Sequence, residues 1–104
     1  MSKTKLEKQW LSDVADLGCV VCRNAGYGPS PAEIHHLRDG SGMAQRSSHF
    51  NAIPLCPNHH RNGGHGVAFH AGPKVWQENY GHELDLLEQT VGDIETLRSS
   101  IVGR

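Results

Sequence analysis

The sequence predicts a small α+β domain: a two-stranded hairpin and a short helix at the centre, clipped by a structural zinc, with helices at both ends. Three observations lead there. Apolar residues recur at helical spacing near both termini and lose that period in the middle. Two short runs, 32–37 and 50–55, have strand character and flank a polar, glycine-containing stretch. Cys19-x-x-Cys22 and Cys56-x-x-His59 offer four metal ligands in two pairs of equal spacing.

Residues 4–17 read as an amphipathic helix that covers the core. Thr4 and Glu7 have the spacing of a capping box. Leu6, Trp10, Val14 and Leu17 form an apolar stripe with Leu11 beside it, and Gly18 supplies the stop. Gly26, Gly28, Pro29 and Pro31 mark 23–31 as a loop. The two strands follow, joined by a long connection over 38–48, and Pro54 confines the second strand to an edge or to its own end. Such a hairpin is marginal alone, so a metal clip and a packed helix are expected to support it.

Pro57 is placed to open a short helix carrying His59, His60 and Arg61, which Gly63-Gly64 ends. Val67, Ala68 and Phe69 make a small apolar patch. Pro73 starts another helix through Val75, Trp76 and Tyr80, stopped by Gly81. Over 82–101, Leu84, Leu87, Val91 and Ile94 recur at three and four, Leu97 and Ile101 continue a neighbouring stripe, and Gly92 is expected to weaken or kink the helix. Its apolar face packs on the first helix or makes a homodimer contact. The organisation is one domain over 1–104: a helix to 18, a zinc and hairpin core over 19–72, and helices over 73–104.

With 104 residues, 37% hydrophobic and 6% aromatic, the supply for a core is thin. Small domains of this kind lean on metals or disulfides. Three cysteines, an odd number containing a Cys-x-x-Cys pair, argue for metal ligation in a reducing compartment. The bland alternatives for that pair are a redox couple or two buried thiols, but Cys56-x-x-His59 completes a Cys3His set suited to zinc. A formal charge of −1 excludes a strongly basic nucleic-acid coat and leaves only local patches. No apolar run approaches the roughly 18 residues of a membrane span, and the N-terminus lacks the apolar core of a signal peptide. A soluble cytoplasmic protein, monomer or homodimer, is expected.

Most of the eight histidines fall between residues 34 and 70. Within that stretch His35-His36, Asn51 and His60 resemble the three parts of the HNH (ββα-metal) nuclease motif, Asn51 and His60 following His36 in that motif's register. The interleaved Cys19, Cys22, Cys56 and His59 resemble the zinc-stapled members of the superfamily. The run Gly64-His65-Gly66-Val67-Ala68-Phe69-His70 resembles the phage RecA-dependent recombination-enhancement nucleases. The match spans about residues 19–80.

The resemblance implies a ββα-metal core stapled by structural zinc. It implies a DNA endonuclease that leaves a 5′-phosphate and a 3′-hydroxyl, in the cytoplasm of a bacterial or phage-infected cell. His36 would be the general base, His35 and His60 would hold the catalytic ion, and Asn51 would orient His36 and its loop. That ion would be Mg2+ or Mn2+, with Zn2+ or Ni2+ accepted by nitrogen-rich ligation. The substrate would be DNA held by a RecA-type recombinase filament.

The residue types suit this chemistry on their own terms. A neutral histidine, with an ordinary pKa of about 6.5, can take a proton from water. A cation bound by few protein ligands can neutralise charge developing on phosphate. Adjacent strand residues face opposite ways. His35 and His36 therefore serve one phosphate only if the strand ends or bulges there, or if metal and water sit on either side of the scissile bond. His59 and His60 must diverge too. His59 is assigned to zinc because it completes Cys-x-x-His, the reverse split remaining open. His65, flanked by glycines that allow close approach, is expected as the third ligand of the catalytic ion, with His70 as its rival.

Arg38, Arg46, Arg61 and Lys74 flank the motif. Arg38 and Arg61 are expected at phosphate oxygens, the alternative being solvated loop charges. Two other functions compete: a non-catalytic zinc module binding nucleic acid or protein, which leaves His36 without a task, and a metal-dependent hydrolase of another substrate.

Overall fold

In a computed structural model, which describes residues 4–37 and 50–102 (the side chains of 100–102 aside), helix α1 runs over Lys5–Leu17. Its capping box forms in both directions: Glu7 N–H donates to Thr4 Oγ1 at 3.1 Å and Thr4 N–H to Glu7 Oε1 at 2.9 Å. Gly18 ends it at φ 82°, where a Cβ would sit 2.8 Å from the Cβ of Pro29. The glycine thus lets the returning chain close onto the helix end. The expected stripe is only partly inward. Val14 is fully buried, but Leu6, in the first turn, is 75% exposed.

A five-residue helix, α2 over Val20–Asn24, stands where a turn and then a loop were expected. Cys19 is its N-cap. The Cys19 sulfur accepts from Cys22 N–H at 3.5 Å, and the Cys19 carbonyl accepts from Arg23 N–H at 3.0 Å. The Cys-x-x-Cys spacing is therefore one helical turn, which explains why both sulfurs look the same way.

Strands β1 (Glu33–His36) and β2 (Ala52–Leu55) pair antiparallel. The register is one-to-one: Glu33 with Leu55, Ile34 with Pro54, His35 with Ile53, His36 with Ala52. No bulge interrupts these pairs, and β1 stops at His36. In a two-stranded sheet both strands are edges, so Pro54 is tolerated within β2. β2 is buried along its length and contacts α1, α2 and α4.

Asn58–Asn62 forms a single wide helical turn, closed by Gly63 N–H donating to Asn58 O at 3.0 Å. Such five-residue closures are rare and concentrate at functional sites. A Cβ on Gly63 would lie 2.5 Å from both that carbonyl and Val67 Cγ1. A 3-10 turn, Phe69–Ala71, leads to α3 (Pro73–Tyr80), with Pro73 in the first turn and Gly81 ending it.

Helix α4, Glu83–Val102, runs through Gly92 without interruption. Its buried face is Glu83, Leu86, Thr90 and Ile94, while Leu84 and Leu97 are each 44% exposed. Ile94 of the expected apolar stripe is fully buried and Leu87 packs against the core, but Leu84 turns outward and the polar Glu83 and Thr90 take inward positions. Glu83 pairs with His35, and the Thr90 hydroxyl donates to Leu86 O at 2.8 Å. α4 packs on α1 within the same chain. It is also tied to α2 by Arg23–Asp93 at 2.9 Å and by paired Asn24 and Gln89 amides at 3.1 and 2.7 Å. The central core joins Val20, Val21, Leu37, Ile53, Leu55, Phe69, Trp76 and Leu86 with Cys19 and Cys22. Among the described residues, no helix is long and apolar enough to cross a membrane.

Two glycines should respond oppositely to substitution. Gly92→Ala meets open space in a helix interior and is expected to stabilise by about 0.5–1 kcal/mol. Gly63→Ala drives a Cβ into a backbone carbonyl and is expected to destabilise by about 1–3 kcal/mol. Denaturant unfolding of the metal-loaded protein measures both.

Candidate metal centres

Four ligand atoms converge where α2, the end of β2 and the wide turn meet: Cys19, Cys22, Cys56 and His59, all within 4.8 Å of one another. His59 Nδ1 lies 3.6 Å from Cys19 Sγ, 3.7 Å from Cys22 Sγ and 3.2 Å from Cys56 Sγ, and the Cys22 and Cys56 sulfurs are 3.9 Å apart. A tetrahedral ion with zinc–sulfur bonds of about 2.3 Å and zinc–nitrogen bonds of about 2.0–2.1 Å sets such atoms ~3.6–3.8 Å apart. The donor set and its spacing therefore fit an ion such as zinc.

The local electrostatics are mixed. Burial pushes the Cys19 thiol up to about 11. At Cys56 burial acts in the same upward direction, but hydrogen bonds from the His59 and Asn58 amides and the neighbouring thiols outweigh it and bring the thiol below its ordinary value. Burial lowers His59, which keeps its imidazole neutral and able to ligate. Behind the ring, the fully buried Trp76 donates Nε1–H to His59 O at 3.0 Å. That bond satisfies a carbonyl which the wide turn leaves unpaired.

His60, the next residue, points elsewhere. It meets His35 from β1 and His70 from the 3-10 turn, one ring nitrogen of each lying within 4.8 Å of the others. His60 Nε2 and His70 Nε2 are 3.1 Å apart, and the His35 and His60 ring centroids are 5.3 Å apart. Two ligands on adjacent corners of an ion with bonds of about 2.1 Å stand ~3–3.4 Å apart, so this spacing also fits a cation. His35 is 1% exposed and stacks on Phe69 at 4.3 Å between centroids.

Two carboxylates back this cluster. Glu33 Oε1 accepts from His60 Nδ1–H at 2.9 Å and from Arg61 Nε–H at 2.9 Å, and Glu33 Oε2 accepts from Arg61 Nη2 at 2.6 Å. Hydrogen bonds from Arg61 and then His60 hold the Glu33 carboxyl down at about 2. Glu83 Oε2 lies 2.7 Å from His35 Nε2, both side chains buried.

Of the expected site residues, the structure brings Cys19, Cys22, Cys56 and His59 into one cluster and His35 and His60 into the other. The third imidazole there is His70, in place of His65. His65 is exposed and lies against Gly72, where a Cβ would come within 2.7 Å of its Nδ1. The flanking glycines gave His65 freedom but no direction. His70 is aimed by its neighbour Phe69, which is 3% exposed and packed on His35. Arg61, expected at phosphate, has its fork on Glu33. His36 and Asn51 sit together at the end of the hairpin, where Leu37 N–H donates to Asn51 O at 3.0 Å, and neither joins either cluster. Arg38 and Arg46 lie outside the described residues. Glu33, Glu83 and Trp76 were not foreseen as site residues. Glu33, two residues from His35 on one strand face, offered the one readable signal.

The fold and its two clusters define a small α+β domain able to hold metal ions close to its hairpin. The chain belongs to the recombination enhancement, RecA-dependent nuclease family, whose model matches residues 3–95. A comparison with curated proteins finds no match.

Cys22→Ser removes a sulfur that faces both Cys56 and His59. Elemental analysis of the purified variant is expected to find at most about a tenth of the wild-type metal, and the protein should unfold at lower denaturant, because metal binding and folding are linked.

Proposed function

We propose that this chain is a metal-dependent DNA endonuclease of the HNH, ββα-metal type, that its Cys3His cluster carries a structural zinc, and that it works with a RecA-type recombinase. One observation carries the reading. The first histidine of the His35-His36 pair and the histidine that follows Cys-x-x-His meet in one imidazole cluster, and His36 ends the same strand, at the point where Leu37 N–H donates to Asn51 O. The family's name supplies the nuclease and the recombinase.

In this reading His35, His60 and His70 hold the working cation. When bound, the cation would neutralise charge developing on the phosphate and favour departure of the 3′ oxygen. An all-imidazole donor set suits Mn2+, Ni2+ or Zn2+ better than Mg2+, which prefers oxygen ligands. His36 is the general base. It takes a proton from water as the water oxygen bonds to phosphorus, the P–O3′ bond breaks, the departing 3′ oxygen takes a proton from solvent, and the products are a 5′-phosphate and a 3′-hydroxyl. Asn51 holds the turn out of β1 through its carbonyl, which fixes where His36 emerges. The recombinase filament would present the DNA, which suits a chain whose net charge of −1 gives it little nonspecific affinity of its own.

The test is cleavage of plasmid, single-stranded DNA and RNA, each with and without recombinase, across Mg2+, Mn2+, Ni2+ and Zn2+. DNA cleavage that rises with recombinase is expected. Hydrolysis of none of these substrates under any condition removes the nuclease reading. His36→Ala is expected to lose cleavage by about 10²–10⁴-fold with fold and metal content intact, whereas full activity in that variant would leave His36 without a role. His70→Ala should weaken divalent-ion binding, and His65→Ala should not.

A further inference from the structure

Two carboxylates approach the imidazole cluster from outside it. His60 Nδ1 faces Glu33 Oε1 at 2.9 Å while His60 Nε2 faces His70 Nε2 at 3.1 Å. His35 Nε2 faces Glu83 Oε2 at 2.7 Å, with side chains 1% and 3% exposed. Neither carboxylate belongs to the set of mutually close ligand atoms, so each stands one layer further out.

The geometry points to Glu33, braced by Arg61, and Glu83 as positioning residues of this cluster. Each takes the N–H of one imidazole and thereby commits that ring's other nitrogen, as a bare lone pair, to a cation. The inference rests on the reading of the cluster as the cation site. A neutral imidazole has one N–H and one lone pair. An ionised carboxylate has no proton to give, so the ring nitrogen facing it must supply one. Outer partners of this kind fix the tautomer and the ring plane of metal-binding histidines.

The bracing is specific. Arg61 grips both Glu33 oxygens, at 2.9 and 2.6 Å, which fixes the carboxylate plane. Arg61 and His60 are neighbours on the wide turn, and Glu33 reaches them from β1, so one carboxylate sets the turn against the strand. Glu83 is held from its other end, its backbone N–H donating to Gln77 Oε1 of α3 at 2.9 Å. A carboxylate buried against an imidazole is a poor device for stability alone, since its desolvation offsets most of what the hydrogen bond returns. A pair that decides which nitrogen of His35 is bare has a reason to be there.

Long-range 1H–15N spectra of the zinc-loaded full chain, before any second ion is added, read the tautomers directly. His60 is expected protonated at Nδ1 and bare at Nε2, and His35 protonated at Nε2 and bare at Nδ1. The opposite tautomer at either ring, or a doubly protonated ring at neutral pH, overturns the assignment for that residue, and this measurement needs no variant to fold. Mn2+ titration then compares the wild type with Glu33→Gln and Glu83→Gln, which keep size and lose the ionised acceptor. Each is expected to lose affinity by about 10–100-fold, and Arg61→Ala to lose less. Affinities within twofold of wild type, with unchanged tautomers, overturn the inference while a wild type that binds Mn2+ and cuts DNA keeps the nuclease reading. A wild type whose cluster binds none of Mn2+, Ni2+ and Zn2+ removes both.

Discussion

His59 and His60 are adjacent, yet the fold sends one imidazole to the sulfur cluster and the other to the histidine cluster. That split is the constraint on which the rest of the structure depends. Consecutive residues on any helical turn diverge, but here the divergence must be held to within a ligand's reach on both sides at once. Three bonds hold it. His60 N–H donates to Cys56 O at 2.9 Å, Gly63 N–H closes the wide turn on Asn58 O at 3.0 Å, and Trp76 Nε1–H caps His59 O at 3.0 Å. The turn is short because it serves as a fork and carries no packing face of its own.

The aromatic residues connect the prongs of that fork. His35 packs on Phe69, Phe69 on Trp76 at 5.1 Å, Trp76 on Tyr80 at 5.4 Å, and Tyr80 on His59 at 5.2 Å between ring centroids. A chain with only 6% aromatic residues places three of them, with His35 and His59, into the wall between its clusters. The remaining apolar supply is modest, and buried cysteines fill part of the core as small hydrophobes as well as ligands. A metal at the sulfur cluster would then do two tasks, closing the hairpin against α2 and making up for a core too small to hold a two-stranded sheet by itself.

Much of this was legible from the residues. The capping box of α1, the proline start and glycine stop of α3, the edge character of Pro54 and the Cys3His grouping all follow from local chemistry that acts over a few positions. The misses share one cause, which is that a contact distant in sequence decided the outcome. The inward face of α4 keeps Ile94 but takes Glu83 and Thr90 where the apolar stripe offers Leu84 and Val91, since polar residues are invisible to an apolar period. His70 replaced His65 because burial of Phe69 aims it, a packing fact that loop composition does not reveal. The Arg61–Glu33 pair joins two elements across the hairpin, which local sequence does not announce. α2 stands where a turn and the start of a loop are expected, because its helical turn is started by a thiol accepting an amide, a weak cap that sequence rules rank low.

Strand alternation was first an objection to placing His35 and His36 at one phosphate, and the hairpin turns it into a requirement. The register through Ile34, His35 and His36 is regular, so Glu33 and His35 share one face and His36 takes the other, at the last pair before the chain leaves the sheet. A displacement at phosphorus needs its nucleophile and its leaving oxygen on opposite sides. In the proposed mechanism, a base and a cation on opposite faces of the same strand end would meet that need with no bulge, with the phosphate lying across the edge of the sheet. β1 ends at His36, and the pairing closes one residue later, where Leu37 N–H donates to Asn51 O at 3.0 Å. The same alternation that sends His35 inward, where Glu83 and Phe69 fix it, turns His36 to the other face, so in the proposed mechanism neither histidine could be moved by one position without exchanging roles.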